Sequence, residues 1–131
     1  MSRNQPTIGT VARQVGVNVE TIRYYQRIGL VKEPAKNGGF RFYSERAVKR
    51  LLYIRHLKKL GFTLREITRL LEAGAENCGK VGVLLQEKQS EILGKIEQMR
   101  SAVVELKQMA IDCRERSSRA RGACPLIPEP E

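Results

Sequence analysis

Apolar residues recur at helical spacing in the first part of the chain, in short runs that end at glycine. This spacing predicts a first helix that Thr7 can cap and that Gly16 ends. Asn18 is placed to cap a second helix, which ends near Gly29. Two short helices joined by a turn that contains glycine are typical of a helix-turn-helix unit.

Glycine, proline and aromatic residues replace the helical spacing after the second helix. Pro34 and the pair Gly38-Gly39 interrupt the chain, and Phe40 and Arg41 follow directly. Aromatic residues beside a glycine turn predict a short hairpin, or wing, in place of a helix.

Two more helices are predicted after the wing. Ser44 is placed to cap the third helix, which Gly61 ends. Thr63 and Glu66 have the spacing of a capping box at the start of the fourth helix, and Gly74 is expected to close it.

The remainder of the chain has the pattern of one long helix. No proline occurs from residue 80 to residue 124, and apolar residues recur every seven positions, which predicts the seam of a coiled coil. The d positions are Leu85, Ile92, Met99, Leu106 and Cys113, and the a positions are Gln89, Ile96, Val103 and Ala110. Because such a helix cannot bury its apolar stripe on itself, it needs a partner helix, most simply that of a second copy.

The charge balance favours a polyanionic partner. Lys and Arg number 24 against 14 Asp and Glu, which gives a net charge of +10. Nucleic acid is the expected partner, ahead of an acidic membrane surface. The second helix carries donors suited to the major groove between Thr21 and Arg27, and Arg41 in the wing is suited to a phosphate or groove contact.

The chain is expected to be cytoplasmic and without a membrane partner. No segment approaches the ~20 apolar residues of a membrane span. The first residues, MSRNQPTIG, lack the apolar region of a signal peptide. In that compartment thiols stay reduced.

The three cysteines form a candidate metal site. Cys78, Cys113 and Cys124 cannot all pair within one chain, and a set of three sulfurs is typical of sites for soft ions. Along one straight helix, Cys78 and Cys113 would stand ~50 Å apart. In an antiparallel dimer, however, Cys78 of one chain would lie beside Cys113 and Cys124 of its partner, and two such sites would form.

The MerR family of bacterial transcriptional regulators resembles this chain in three head segments, TIGTVARQVGVNVETIRYYQRIGLV, GGFRFYSE and LGFTLREITRLL. The resemblance extends to the long helix and the cysteine tail. It implies a long helix that pairs antiparallel with its copy, and a dimer that binds a palindromic promoter. It also implies that ligand binding distorts the DNA so that RNA polymerase engages it. Carried over, Thr21, Arg23 and Tyr24 are the DNA contacts of the recognition helix, and Arg41 is that of the wing.

The cysteine positions and the tail CPLI most resemble the mercury-responsive members, which bind Hg(II) through three thiolates. Lead-sensing relatives have a similar triplet, and those that sense zinc or cadmium usually add histidines or further cysteines. Copper-sensing relatives lack the cysteine that corresponds to Cys78. The loop between Cys113 and Cys124 is slightly longer than in the mercury pattern, so Pb(II) stays the alternative effector.

The sequence therefore predicts a mainly α protein with a winged helix-turn-helix DNA-binding head, a long dimerisation helix in an antiparallel coiled coil, and a short metal-binding C-terminal loop. The predicted bounds are 1–75 for the head, 76–112 for the helix, and 113–131 for the loop and tail. The predicted function is a mercury(II)-responsive regulator that binds double-stranded promoter DNA as a homodimer and activates mercury-resistance genes. Two alternatives stay open: a sensor of lead, or of cadmium or zinc, and an architectural DNA-binding dimer with redox-sensitive cysteines. An enzyme is not expected, because no general base accompanies the cysteines.

Overall fold

The computed structural model describes residues 5–117 and 124–131, so the middle of the predicted metal-binding loop, 118–123, lies outside the described residues. The elements, in chain order, are α1 (Ile8–Val15), α2 (Val19–Arg27), β1 (Lys36–Asn37), β2 (Phe40–Arg41), α3 (Glu45–Lys59), α4 (Leu64–Glu76) and α5 (Cys78–Ser117). One compact unit ends at Val81 and a second begins at Gly82. No helix among the described residues is long and apolar enough to cross a membrane.

The predicted fold class is confirmed: the chain is mainly helical, with a helix-turn-helix head followed by one long helix. The antiparallel pairing of that helix stays a prediction, and so does the division at residues 75 and 112.

Three predicted helix caps are confirmed. The side-chain oxygen of Asn18 accepts the backbone N–H of Thr21 at 2.8 Å, which begins α2. Ser44 accepts from Ala47 at 3.1 Å and begins α3. Thr63 and Glu66 form the reciprocal bonds of a capping box at the start of α4. Each cap satisfies a backbone donor that the first turn of the helix leaves without a partner.

Thr7 occupies the predicted cap position of α1, but its side chain makes no capping hydrogen bond. Its backbone is held in another way, by an isolated antiparallel bridge to Phe42, and its carbonyl accepts the N–H of Val11 at 3.0 Å. The prediction of a side-chain cap was therefore wrong, although α1 begins at the expected residue and ends at Gly16 as expected.

The expectation that Gly74 closes the fourth helix was also wrong, because α4 continues to Glu76. One glycine in a helix interior costs only ~1 kcal/mol relative to alanine, and the neighbouring Ala73 is buried in the core. Asn77 ends the helix instead, with an extended backbone at φ −163° and ψ 152°. The Asn77 side chain then accepts the N–H of Lys80 at 2.9 Å and caps the start of α5.

The wing is a two-stranded antiparallel hairpin, as predicted, in which Lys36 faces Arg41 and Asn37 faces Phe40. The turn residues Gly38 and Gly39 have φ of 62° and 85°. Two successive positive φ values are required by the tight turns whose twist matches that of the flanking strands. Glycine adopts these values without a steric penalty, so this pair fixes the register of the hairpin.

The core of the head lies between the helices, where α1 packs on α2 and α3, and α3 packs on α4. Its buried side chains include Val11, Val15, Ile22, Tyr25, Leu51, Ile54, Leu57, Ile67 and Leu70. Tyr43, directly after the wing, is 1% exposed, and its hydroxyl accepts a hydrogen bond from Gln26 Nε2 at 2.5 Å. This bond connects α2 to the base of the wing.

The long helix α5 is continuous over 40 residues, from Cys78 to Ser117, and so extends beyond the predicted end at residue 112. Its predicted seam is exposed in the single chain: the apolar a and d side chains from Leu85 to Leu106 are 38% to 68% exposed. A soluble protein rarely leaves so long an apolar stripe uncovered. The exposure supports the need for a partner helix.

We expect Thr63→Ala to lower the free energy of unfolding by about 1 kcal/mol, because it removes the capping box of α4. Thr7→Ala is the matched control: its side chain caps nothing, so a loss of only a few tenths of a kcal/mol is expected. Urea unfolding at one fixed protein concentration measures both, since association would otherwise add to stability. Equal losses in the two variants would contradict the difference in capping.

Candidate functional site

Helix α2 presents one face to the core and another to solvent. Ile22 and Tyr25 are buried, whereas Arg23 is exposed and Tyr24 is 43% exposed. Of the two adjacent tyrosines, Tyr25 packs in the core and Tyr24 faces solvent. Thr21 lies at the start of α2, half-buried, with its hydroxyl donated to the Asn18 side chain at 2.7 Å. The outward face therefore carries an arginine and a tyrosine, both capable of contacting a ligand outside the head.

Neighbouring side chains hold the cationic groups of α2. Arg23 Nη1 lies 3.2 Å from Glu20 Oε1, one helical turn earlier. The Arg27 guanidinium lies over the ring of Tyr24, 5.7 Å from its centroid, within the range of a cation–π interaction. These contacts reduce the number of orientations that Arg23, Arg27 and Tyr24 adopt at the surface.

Arg41 is exposed on β2 and is held at two points. Its Nη2 lies 3.2 Å from Glu33 Oε1, and its Nε donates to the carbonyl oxygen of Pro34 at 3.1 Å. Sequence reasoning identified Arg41 but missed Glu33. The signal that could have found it is the hairpin register, because pairing Lys36 with Arg41 brings the residues just before β1 toward the end of β2.

A cavity of about 500 Å³ separates α2 from the wing. Its lining includes Arg23, Arg27, Arg41, Gln26, Glu33 and Tyr43. Burial raises the pKa of Tyr43, so its hydroxyl stays neutral and accepts from Gln26. The structure thus brings Arg23 and Arg41, two of the four predicted DNA contacts, to one cavity, while Thr21 and Tyr24 lie outside its lining.

Two of the three cysteines meet within one chain. Cys113 lies near the end of α5, and its Sγ atom is 2.8 Å from that of Cys124. Both thiols are free and half-buried. Cys78 is the first residue of α5, exposed, at the opposite end of the same helix.

The surroundings of the two neighbouring thiols shift their pKa values in opposite directions. The pKa of Cys124 is lowered by a hydrogen bond with Cys113, by the backbone N–H groups of Leu126 and Ile127, and by the charge of Arg116. The pKa of Cys113 is raised by its hydrogen bond with Cys124. Of the two thiols, Cys124 is therefore expected to lose its proton at the lower pH.

Within one chain, the described residues hold no group of three His, Cys, Asp or Glu side chains able to bind a metal ion. Two adjacent sulfurs, one with a lowered pKa, nevertheless fit a soft ion better than magnesium, calcium or manganese. The predicted three-thiol site needs Cys78 as well, which the single chain does not bring to the pair, so the triad stays a prediction.

Two family descriptions match overlapping parts of the chain. Residues 7–74 match "MerR HTH family regulatory protein", and residues 48–109 match "MerR, DNA binding". The chain belongs to the MerR family. This confirms the resemblance of the head segments and makes the protein a MerR-type transcriptional regulator.

MerR-family relatives match most of the chain. A mercuric resistance operon regulatory protein of Bacillus cereus is 37% identical over 126 residues, which cover 92% of both chains. A solved MerR structure from Bacillus megaterium MB1, in complex with mercury(II), is 30% identical with a TM-score of 0.65, and the match covers 96% of this chain and 93% of that one. A transcription regulator from Ralstonia metallidurans CH34, in complex with lead(II), is 33% identical with a TM-score of 0.70, covering 81% and 85%.

At neutral pH we expect limiting iodoacetamide to alkylate Cys124 before Cys113, because the thiolate is the nucleophile and only the pKa of Cys124 is lowered. Peptide mapping by mass spectrometry, on the reduced protein, gives the ratio of the two products. As pH rises, reaction at Cys124 should begin at the lower pH.

Cys113→Ala removes the S–H donor, so it should slow alkylation of Cys124 and move its onset to higher pH. Ser101→Ala, on the exposed surface of α5, is the control and should change neither. Equal rates at the two cysteines of the unmodified protein would show that their environments do not differ in this way.

Proposed function

We propose that this MerR-family protein is a mercury(II)-responsive regulator, which binds double-stranded promoter DNA as a homodimer and activates mercury-resistance genes by metal-induced distortion of that DNA. The observation that carries the proposal is the pair of free thiols at Cys113 and Cys124, 2.8 Å apart, with Cys78 at the other end of the same helix. The mercuric resistance regulators that match 92% of the chain support the choice of metal.

In the proposed DNA interface, α2 enters the major groove and the wing contacts the flanking backbone. Arg23 and Tyr24 are exposed on the outward face of α2, which Ile22 and Tyr25 anchor to the core. Thr21 at the start of α2 and Arg41 on β2 complete the proposed contacts. Phosphate contacts from arginine would fix the register, and donors at base edges would read the sequence.

The proposed homodimer pairs the α5 helices antiparallel along the exposed apolar stripe. This arrangement would cover side chains that are up to 68% exposed in one chain. It would also bring Cys78 of one subunit toward Cys113 and Cys124 of the other. The head, the dimerisation helix and the metal-binding tail would then correspond to residues 1–75, 76–112 and 113–131, with RNA polymerase as the partner at the promoter.

In the proposed metal site, Cys113 and Cys124 of one subunit and Cys78 of the other would hold the ion. A bound soft metal ion would take thiolate ligands, so both thiols would lose their protons on binding, and the lowered pKa of Cys124 makes its proton the easier one to remove. Lead is the alternative effector, and the lead(II) complex of the Ralstonia regulator supports keeping it ahead of cadmium and zinc. Since the target is promoter DNA and the thiols must be reduced, we infer that the protein acts in the cytoplasm.

A second function is favoured by the same thiol pair. Free sulfurs this close within one chain are placed to form a disulfide on oxidation. A redox-sensitive DNA-binding dimer would use Cys113 and Cys124 without Cys78. Dependence on Cys78 therefore separates the two functions.

We expect the reduced dimer to bind Hg(II) in the presence of excess low-molecular-weight thiol, and Cys78→Ser to lose most of that binding. Retained metal after gel filtration, measured by elemental mass spectrometry, gives the stoichiometry. Parallel competition with lead, cadmium and zinc ranks the effectors.

Mixing a Cys78→Ser chain with a Cys113→Ser/Cys124→Ser chain should restore one intact site per heterodimer, because the three thiols would then come from two subunits. Each variant alone is the control. No recovery in the mixture would rule out the cross-subunit site, and full binding by Cys78→Ser alone would favour the redox function.

We expect Arg23→Ala to weaken DNA binding by about 1–3 kcal/mol and to make its salt dependence less steep, since a phosphate or base contact and one charge are lost. Titration of a duplex that the wild-type protein selects from a random library, at several salt concentrations, measures both. Arg100→Ala removes an equal charge from α5, outside the head, and should change the affinity much less. Equal effects of the two substitutions would remove Arg23 from the interface.

A further inference from the structure

Glu33 places a negative charge in the cavity between α2 and the wing, whose other charged lining residues among those described are arginines. Of the described residues that line this cavity, three are arginines, Arg23, Arg27 and Arg41, and Glu33 is the one carboxylate. A carboxylate beside a surface that must approach phosphates weakens the attraction for all DNA. Its ion pair is exposed on both sides, with side chains 41% and 55% exposed, and such pairs stabilise a fold very little.

Glu33 and its neighbour Pro34 together hold the side chain of Arg41. Glu33 Oε1 holds Nη2 of Arg41 at 3.2 Å, while the next residue, Pro34, accepts from Nε at 3.1 Å. Both acceptors lie just before β1, and the register of the hairpin fixes their position relative to β2. A guanidinium has five N–H donors in one plane. Holding one edge at two points therefore fixes the direction in which the remaining donors point.

We propose that Glu33 is a positioning residue for DNA recognition. It orients Arg41, lowers the affinity for DNA of any sequence, and raises the ratio of specific to non-specific affinity. The inference rests on the proposed DNA-binding function and concerns a residue of that same interface. A side chain held in its binding orientation loses less conformational entropy when the correct DNA docks. On incorrect DNA the same carboxylate opposes phosphates that approach Arg41 from another direction, so the specific complex is favoured over the others.

The test compares affinities for a duplex selected from a random library by the wild-type protein and for a same-length duplex of shuffled sequence. Glu33→Gln should bind the shuffled duplex more tightly, because a negative charge is lost, yet its ratio of specific to shuffled affinity should fall about two- to fivefold. Glu45→Gln is the matched control, since Glu45 is an exposed carboxylate of the same head, paired with Lys49 on α3. It should raise both affinities and leave the ratio unchanged.

A double-mutant cycle with Arg41→Gln separates positioning from a general effect. If Glu33 acts through Arg41, Glu33→Gln changes the ratio in the wild-type background and leaves it unchanged in the Arg41→Gln background. Arg41→Lys, which keeps the charge but lacks the two-point edge, should lower the ratio as Glu33→Gln does. Melting temperatures of all variants should stay within a few degrees of the wild type, as expected for an exposed pair.

An unchanged ratio in Glu33→Gln, or an equal fall in Glu45→Gln, would overturn the positioning role while leaving DNA binding intact. An equal fall in both Arg41 backgrounds would overturn it as well. Failure of the wild-type protein to enrich any duplex would overturn the proposed function itself, and this inference with it.

Discussion

The constraint on which the rest of the structure depends is that a 40-residue helix with an apolar stripe cannot cover that stripe with its own chain. Side chains such as Met99 and Leu106 are more than half exposed along α5, whereas the head buries its own core among four short helices. The two halves of the chain therefore differ in kind. The head supplies its own packing, whereas the long helix would need another molecule to bury its apolar stripe. In the proposed dimer, a ligand site that uses residues from both ends of α5 would likewise require a second subunit.

On the polar surface of the head, contacts with neighbouring residues restrict the orientations of cationic side chains before any ligand binds. Arg23 contacts Glu20, Arg27 lies over Tyr24, and Arg41 contacts Glu33 and Pro34. Exposed contacts of this kind add little to stability. Their physical effect is on the number of orientations available to each guanidinium, and hence on the entropy lost when a polyanion binds. The net positive charge attracts any polyanion, while the direction of the guanidinium N–H donors determines which polyanion binds well.

Sequence reasoning succeeded where structure is set by neighbours within one turn. Asn18, Ser44 and Thr63 cap helices because each accepts from a residue three positions later, and two glycines are sufficient to fix the hairpin turn. It failed where the decision depends on the rest of the head. Thr7 is held by a strand bridge instead of a cap, and α4 continues through Gly74, beside the buried Ala73. Glu33 escaped notice because its contact follows from hairpin register, and a site that spans two chains is outside what one chain can demonstrate.

The position of the thiols bears on how a metal signal could reach the DNA. Cys113 and Cys124 lie together at one end of α5, and Cys78 lies at the other end, where only Asn77 separates α5 from α4 of the head. In the proposed antiparallel dimer, an ion held by all three would join the tail of one subunit to the base of the other subunit's head. Such a bond stabilises whichever arrangement of the heads gives three sulfurs at bonding distance. Because coupling between two binding sites is reciprocal, DNA that favours the same arrangement must also strengthen metal binding. A site contained in the Cys113–Cys124 pair alone would bind the ion without this dependence, so in the proposed dimer it is the contribution of Cys78 that would turn metal binding into a signal.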